Sequence, residues 1–257
     1  MKTTTSNISS VRPVSVSGSA SSILASPWFM LVSRSVLFLL AQLLITMVLA
    51  AAGTASAWDA SARWWTFMAI PANIASIYLL VRNFRAEGKR YFDVIRFSRA
   101  TLKTDLLVFF GSSLIGIPIA AAPMNVLGTA IFGDRMIPIN MMFIPLPAWA
   151  LVVSLLFPLT IGFAELTTYC GYVMPRLEAK IKNGWAAWLI ASFFLGAQHM
   201  FLPLILDGRF MLWRLGMYMP FALFAGLMLK LRPSLLPYFM IVHALVDLSA
   251  VSVYLML

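Results

Sequence analysis

Residues 155–176 read LLFPLTIGFAELTTYCGYVMPR, an apolar stretch long enough to cross a bilayer with one carboxylate, Glu165, in its middle. A hydrocarbon core needs about 20 helical residues. An ionisable group there costs roughly 2.5–3.5 kcal/mol on insertion scales, so it is expected to face a partner or a wet cavity. Three further groups share that setting. His199 lies in WAAWLIASFFLGAQHMFLPLIL (185–206), and His243 and Asp247 lie in PYFMIVHALVDLSAVSVYL (237–255). The chain has only 2 histidines, and both are in such stretches.

Working outward, the same apolar pattern recurs along the whole sequence. Hydrophobic residues make up 61% and charged residues 11% of 257, far from a soluble domain. Spans are predicted at about 35–57, 64–81, 105–131, 141–174, 185–206, 211–229 and 235–257. The fold class is therefore all-α: one polytopic transmembrane helix bundle of about seven spanning helices, since helices satisfy their own backbone groups in lipid. Residues 1–34 are read as a disordered cytoplasmic N-terminus, Ser/Thr-rich up to about residue 27. Residues 35–257 form the single membrane domain. The sequence AAAGTASAW (50–58) resembles a signal-peptidase site, but the preceding polar and apolar regions exceed a signal peptide's, which favours a retained helix.

The net charge of +10 would suggest nucleic acid in a soluble chain. Its distribution points to lipid instead. Alternate inter-helix segments carry 15 and 4 Lys and Arg. The positive-inside rule then puts the N-terminus in the cytoplasm and the C-terminus outside, with the plasma (inner) membrane as the expected location. The richest segment, 82–104, sets Arg96, Arg99 and Lys103 beside Tyr91, Phe92 and Phe97, which fits either an amphipathic helix on an anionic leaflet or a basic topogenic loop. Arg209, Arg214, Lys230 and Arg232 fall at predicted span ends and read as snorkelling anchors. Trp64, Trp65, Trp185 and Trp188 fall where an aromatic belt belongs. Pro175 with Arg176 reads as the cytoplasmic stop of the Glu165 helix. Cys170 is the single cysteine, which rules out an internal disulfide, and reads as a small apolar residue.

At 1.5 Å rise per residue, Glu165, His199, His243 and Asp247 come to similar depths on three helices. His243 and Asp247 are spaced i, i+4 and share a helix face. A glutamate beside a histidine can activate water, and a second histidine can stabilise an oxyanion; together they suit amide hydrolysis without a covalent intermediate. Glu165, His199 and His243 are also donors that suit Zn²⁺, an alternative the residues leave open, although no H-E-x-x-H helix is present.

In their order these residues resemble the CAAX prenyl protease and bacteriocin-processing (CPBP, Abi) family of intramembrane proteases, over about 145–250. The family motif E-E-x-x-x-R reads Glu165-Leu166-Thr167-Thr168-Tyr169-Cys170 here, keeping the first Glu and the Gly that often follows (Gly171) but lacking the second Glu and the Arg. F-x-x-x-H reads Leu195 to His199, and H-x-x-x-D/N is intact as His243 to Asp247. The resemblance implies an intramembrane endopeptidase in which Glu165 and His199 activate water and His243 with Asp247 binds the oxyanion. It also implies a peptide or lipidated-peptide substrate and, on the metal-free description of the family, no cofactor. The alternatives are a non-catalytic scaffold or immunity protein of the same fold, and a proton-coupled transporter using the four groups as a relay.

Overall fold

The computed structural model describes residues 23–252 and Tyr254. Most of the tail expected to be disordered, residues 1–22, lies outside that range. The described chain is all-helical, and six of its helices are long and apolar enough to cross a membrane. They are α1 (Pro27–Ala51), α2 (Ala57–Ala86), α3 (Leu102–Phe132), α4 (Ala148–Ile181), α6 (Gly208–Leu231) and α7 (Pro233–Ser252). Between α4 and α6 lies α5 (Gly184–Ala197), only 14 residues long and followed by a 3-10 turn, Gln198–Phe201.

The expected fifth span, 185–206, is thus a short helix, a turn and an extended stretch. It still connects opposite ends of the bundle. At its start Gly184 lies beside Glu178 and Lys230, which close the ends of α4 and α6. At its far end Leu204 meets Gln42 of α1, near Ser61. Ala25 pairs with Tyr172 at the first end and Tyr254 with Arg63 at the other, so the chain traverses the bundle an odd number of times.

α1 begins at Pro27, not at 35. Pro27 needs no N–H donor in the first turn and its ring presets the helical φ. Arg34, which a start at 35 leaves in the flanking N-terminus, lies inside the helix and is fully buried. Met30, Arg34, Phe38 and Gln42, four residues apart, form the buried face of α1.

α4 continues past Pro175 to Ile181, so Pro175 is not its end. The seven residues Thr167–Val173 form a π-helical segment directly before that proline. The wider turn absorbs the missing N–H and the ring clash that would break a regular α-helix. In the basic segment the expected amphipathic helix reduces to one turn, Tyr91–Val94; Arg96 and Arg99 are exposed outside any helix. Trp65 is buried against Phe143 and Phe157 rather than set in a belt, whereas Trp185 is exposed.

Candidate functional site

The site forms where α4, the turn after α5 and α7 converge. Its first requirement is close approach of α4 and α7, met at Gly162, one turn before Glu165. A Cβ at Gly162 would lie 2.9 Å from the Met240 carbonyl oxygen and 3.2 Å from Ala244 Cβ. Met240 and Ala244 flank His243, so the missing side chain is what lets that histidine reach Glu165.

The structure brings all four sequence-predicted residues together. Glu165 Oε1 lies 3.5 Å from His243 Nε2, and Glu165 Oε2 lies 3.8 Å from His199 Nε2. One carboxylate therefore turns one oxygen to each imidazole. Asp247 Oδ2 sits 3.0 Å from the same Nε2 of His243, as an ion-pair contact outside hydrogen-bonding angle. Glu165 is 2% exposed, and none of its contacts is a direct hydrogen bond at these distances.

His199 has a defined orientation. Its Nδ1 lies 3.1 Å from the Leu195 carbonyl and 3.2 Å from that of Gly196. Carbonyl oxygens only accept, so Nδ1 carries an N–H and Nε2 is the nitrogen that faces Glu165; in the neutral ring its lone pair points there. The ring stacks on Tyr218 of α6 at 3.6 Å between centroids.

Two buried arginines complete the surroundings, and sequence reading missed both. Arg214, expected as a snorkelling anchor, is 3% exposed. Its Nε donates to the His199 carbonyl (3.2 Å), Nη2 to the Leu202 carbonyl, and Nη1 to Tyr218 Oη (3.2 Å). Instead of snorkelling, it donates to carbonyls around the 3-10 turn after α5: that of Leu202, just past the turn, and that of His199, which also accepts from Leu202 N. Arg214→Met should cost about 3 kcal/mol, since hydrogen bonds to charged groups are worth roughly 1.5–3 kcal/mol each. Thermal unfolding of the purified chain measures this; an unchanged midpoint would remove Arg214 from the site's support.

Of the other presumed anchors, Arg232 pairs with the buried Asp105 at 2.6 Å and Lys230 with Glu178 at 3.8 Å, while Arg209 is exposed beside Asp207. Arg34 of α1, counted in sequence as a flanking charge, places Nη2 3.6 Å from Glu165 Oε2. The only linear hint was position: both Arg34 and Arg214 have long apolar runs within a turn.

Among the described residues no set of three or more His, Cys, Asp or Glu side chains is arranged to hold a metal ion. His243 Nε2 faces the carboxylates of Glu165 and Asp247, and the Arg34 guanidinium flanks the Glu165 oxygen nearest His199.

Residues 147–249 match the family model described as type II CAAX prenyl endopeptidase Rce1-like, a stretch that contains all four residues of the site. No curated protein and no solved structure matches the chain. The segment that folds around Glu165 is therefore similar to the type II CAAX prenyl endopeptidases, the family its residual motifs resemble.

Proposed function

We propose that this integral membrane protein is a metal-free intramembrane endopeptidase, with Glu165 and His199 activating water and His243, oriented by Asp247, polarising the scissile carbonyl. The observation that carries the reading is the single buried carboxylate shared by two imidazoles from separate elements. A water donating one hydrogen toward Glu165 Oε2 and the other toward His199 Nε2 keeps a lone pair free for attack. As its oxygen bonds to the carbonyl carbon, Glu165 takes a proton. The carbonyl oxygen becomes an oxyanion beside the His243 N–H. Collapse breaks the C–N bond, and the proton passes from Glu165 to the leaving amine. No step needs a metal, and the Arg34 cation beside Glu165 supports that reading.

Orientation follows from charge. The end of the bundle bearing the basic segments 82–103 and 176–182 faces the cytoplasm of the plasma membrane, leaving Tyr254 outside. On that end a cavity of about 180 Å³ is lined by Cys170, Gly171, Met174, Leu229, Lys230 and Leu236. It starts on the turn of α4 that follows Glu165. Such a cavity supports entry of a membrane-associated peptide from the cytoplasmic side, with apolar walls suited to a lipidated terminus.

The test uses the full chain in proteoliposomes and an internally quenched peptide ending in a farnesylated CAAX sequence, beside its unprenylated form. Cleavage of either, unchanged by 1,10-phenanthroline, is the expected result. Loss of cleavage on chelation would replace the metal-free mechanism. Folded protein that cuts neither probe would sink this function in favour of a scaffold.

A further inference from the structure

We infer that Arg34, on a helix outside the 147–249 segment, is the positioning residue of the Glu165–His199 pair and supplies from another helix of the same chain the positive charge absent from Cys170. The role in catalysis rests on the proposed function; the pairing itself rests on geometry alone.

Arg34 is 0% exposed. Its guanidinium is spread over three neutral partners and one anion. Nε donates to Gln198 Oε1 at 2.7 Å, Nη2 to Asn73 Oδ1 at 3.0 Å and Nη1 to Ser76 Oγ at 3.3 Å. The anion is Glu165, 3.6 Å from Nη2, and it is the one carboxylate paired with Arg34 among the described residues. A buried arginine without an anion is expensive, and a fork of fixed N–H directions holds its partners in one arrangement.

The shortest of these bonds goes to the residue directly before His199. Gln198 Oε1 also accepts from Tyr169 Oη at 3.3 Å, and its Nε2 donates to the Leu195 carbonyl at 3.2 Å. That amide is therefore locked, and with it the turn that carries His199. Two turns along the same face of α1, Gln42 grips the far end of the loop. Its Nε2 donates to the Leu204 carbonyl at 3.0 Å, and its Oε1 accepts from Leu204 N at 2.8 Å. One helix face thus sets both the carboxylate and the two ends of the histidine loop.

In the family motif the arginine falls at Cys170 of this chain, on the same helix as the glutamate. Here that position is a buried thiol, and the cation reaches Glu165 from α1 instead. An intact α1 is then part of the working site, although it lies outside the matched segment.

The experiment takes the full chain with Arg34→Met and Arg34→Lys, each in the wild-type and Glu165→Gln backgrounds. Three readouts are made: thermal midpoint, ¹⁵N spectra of the imidazoles, and kcat and KM on the farnesylated probe. With 2 histidines in the chain the imidazole signals are assigned by single substitution. Arg34→Met should lower the midpoint by several degrees in wild type and by less than half as much beside Glu165→Gln, the mark of coupled partners. It should also move the His199 signals. kcat should fall about 10²-fold, the scale of a misplaced catalytic group, with KM within about twofold, and Arg34→Lys should recover part of it. Equal midpoint shifts in both backgrounds with unmoved His199 signals would overturn the proposal, as would an unchanged kcat in Arg34→Met. If wild type cuts no probe, the proposed function fails, while the midpoint cycle and the spectra still decide whether Arg34 holds the pair.

Discussion

Glu165→Gln is expected to abolish cleavage while leaving the protein folded. The glutamine keeps the volume of a side chain that is 2% exposed, so α4 and α7 can still pack. What disappears is the proton acceptor between the two imidazoles. A positioned acid–base contributes about 10²–10⁴-fold, and in the proposed mechanism the same group both takes and returns the proton, so the loss belongs at or beyond the upper end. Single-turnover hydrolysis of the quenched farnesylated peptide, normalised to folded protein, measures it. Turnover surviving in this variant would refute a glutamate-based mechanism outright. The rival functions separate in the same variant: a scaffold keeps its cellular role, whereas a relay loses proton coupling and never cleaved at all. Asp247→Asn should be milder, since it keeps the volume of the side chain and removes only a charge 3.0 Å from His243 Nε2.

Gly162→Val should produce the second large effect, and by displacement alone. Gly162 carries no functional group, yet any side chain there collides with the backbone of Met240. A carbonyl oxygen at 2.9 Å from the new Cβ cannot rotate away as a flexible side chain can. Either α7 retreats from α4 or α4 bends, and in both cases the 3.5 Å Glu165–His243 contact lengthens. Overpacking of this kind costs about 1–3 kcal/mol, and a shift near 1 Å at a reacting centre costs about 10²-fold in rate. Rate loss well beyond the stability loss, with KM little changed, is the expected signature. Gly111→Ala is the control. Its Cβ would meet nothing within 4 Å, so activity should survive.

Charges in apolar runs marked the site before any fold was known, because lipid penalises an ionisable group whatever its partners are. That argument found Glu165, His199, His243 and Asp247. It failed for Arg34 and Arg214 because each lies within reach of a predicted span end, where a long side chain can escape to the interface. Only the partners distinguish anchoring from burial. Arg34 meets Gln198 across 164 residues of sequence, and Arg214 meets the His199 carbonyl through a turn that hydropathy reads as helix. The same limit explains α5. Apolar residues continue unbroken from 185 to 206, so nothing in hydropathy separates 14 helical residues from the turn and extended stretch that follow.

By itself the sequence determined that this is an all-α membrane bundle, which groups must be sheltered inside it, and that His243 and Asp247 share a face. Each of these follows from local chemistry: the cost of bare backbone and charge in hydrocarbon, and a fixed helical period. The tertiary structure decided the rest: that Glu165 turns one oxygen to each imidazole, that the histidine loop is gripped by α1 and Arg214, and that Pro175 sits beyond a π-helical turn instead of ending its helix. Those outcomes depend on which helix faces meet and how closely. That is set by packing among residues far apart in the chain, such as the bare Gly162 against the Met240 backbone, and no local pattern encodes it.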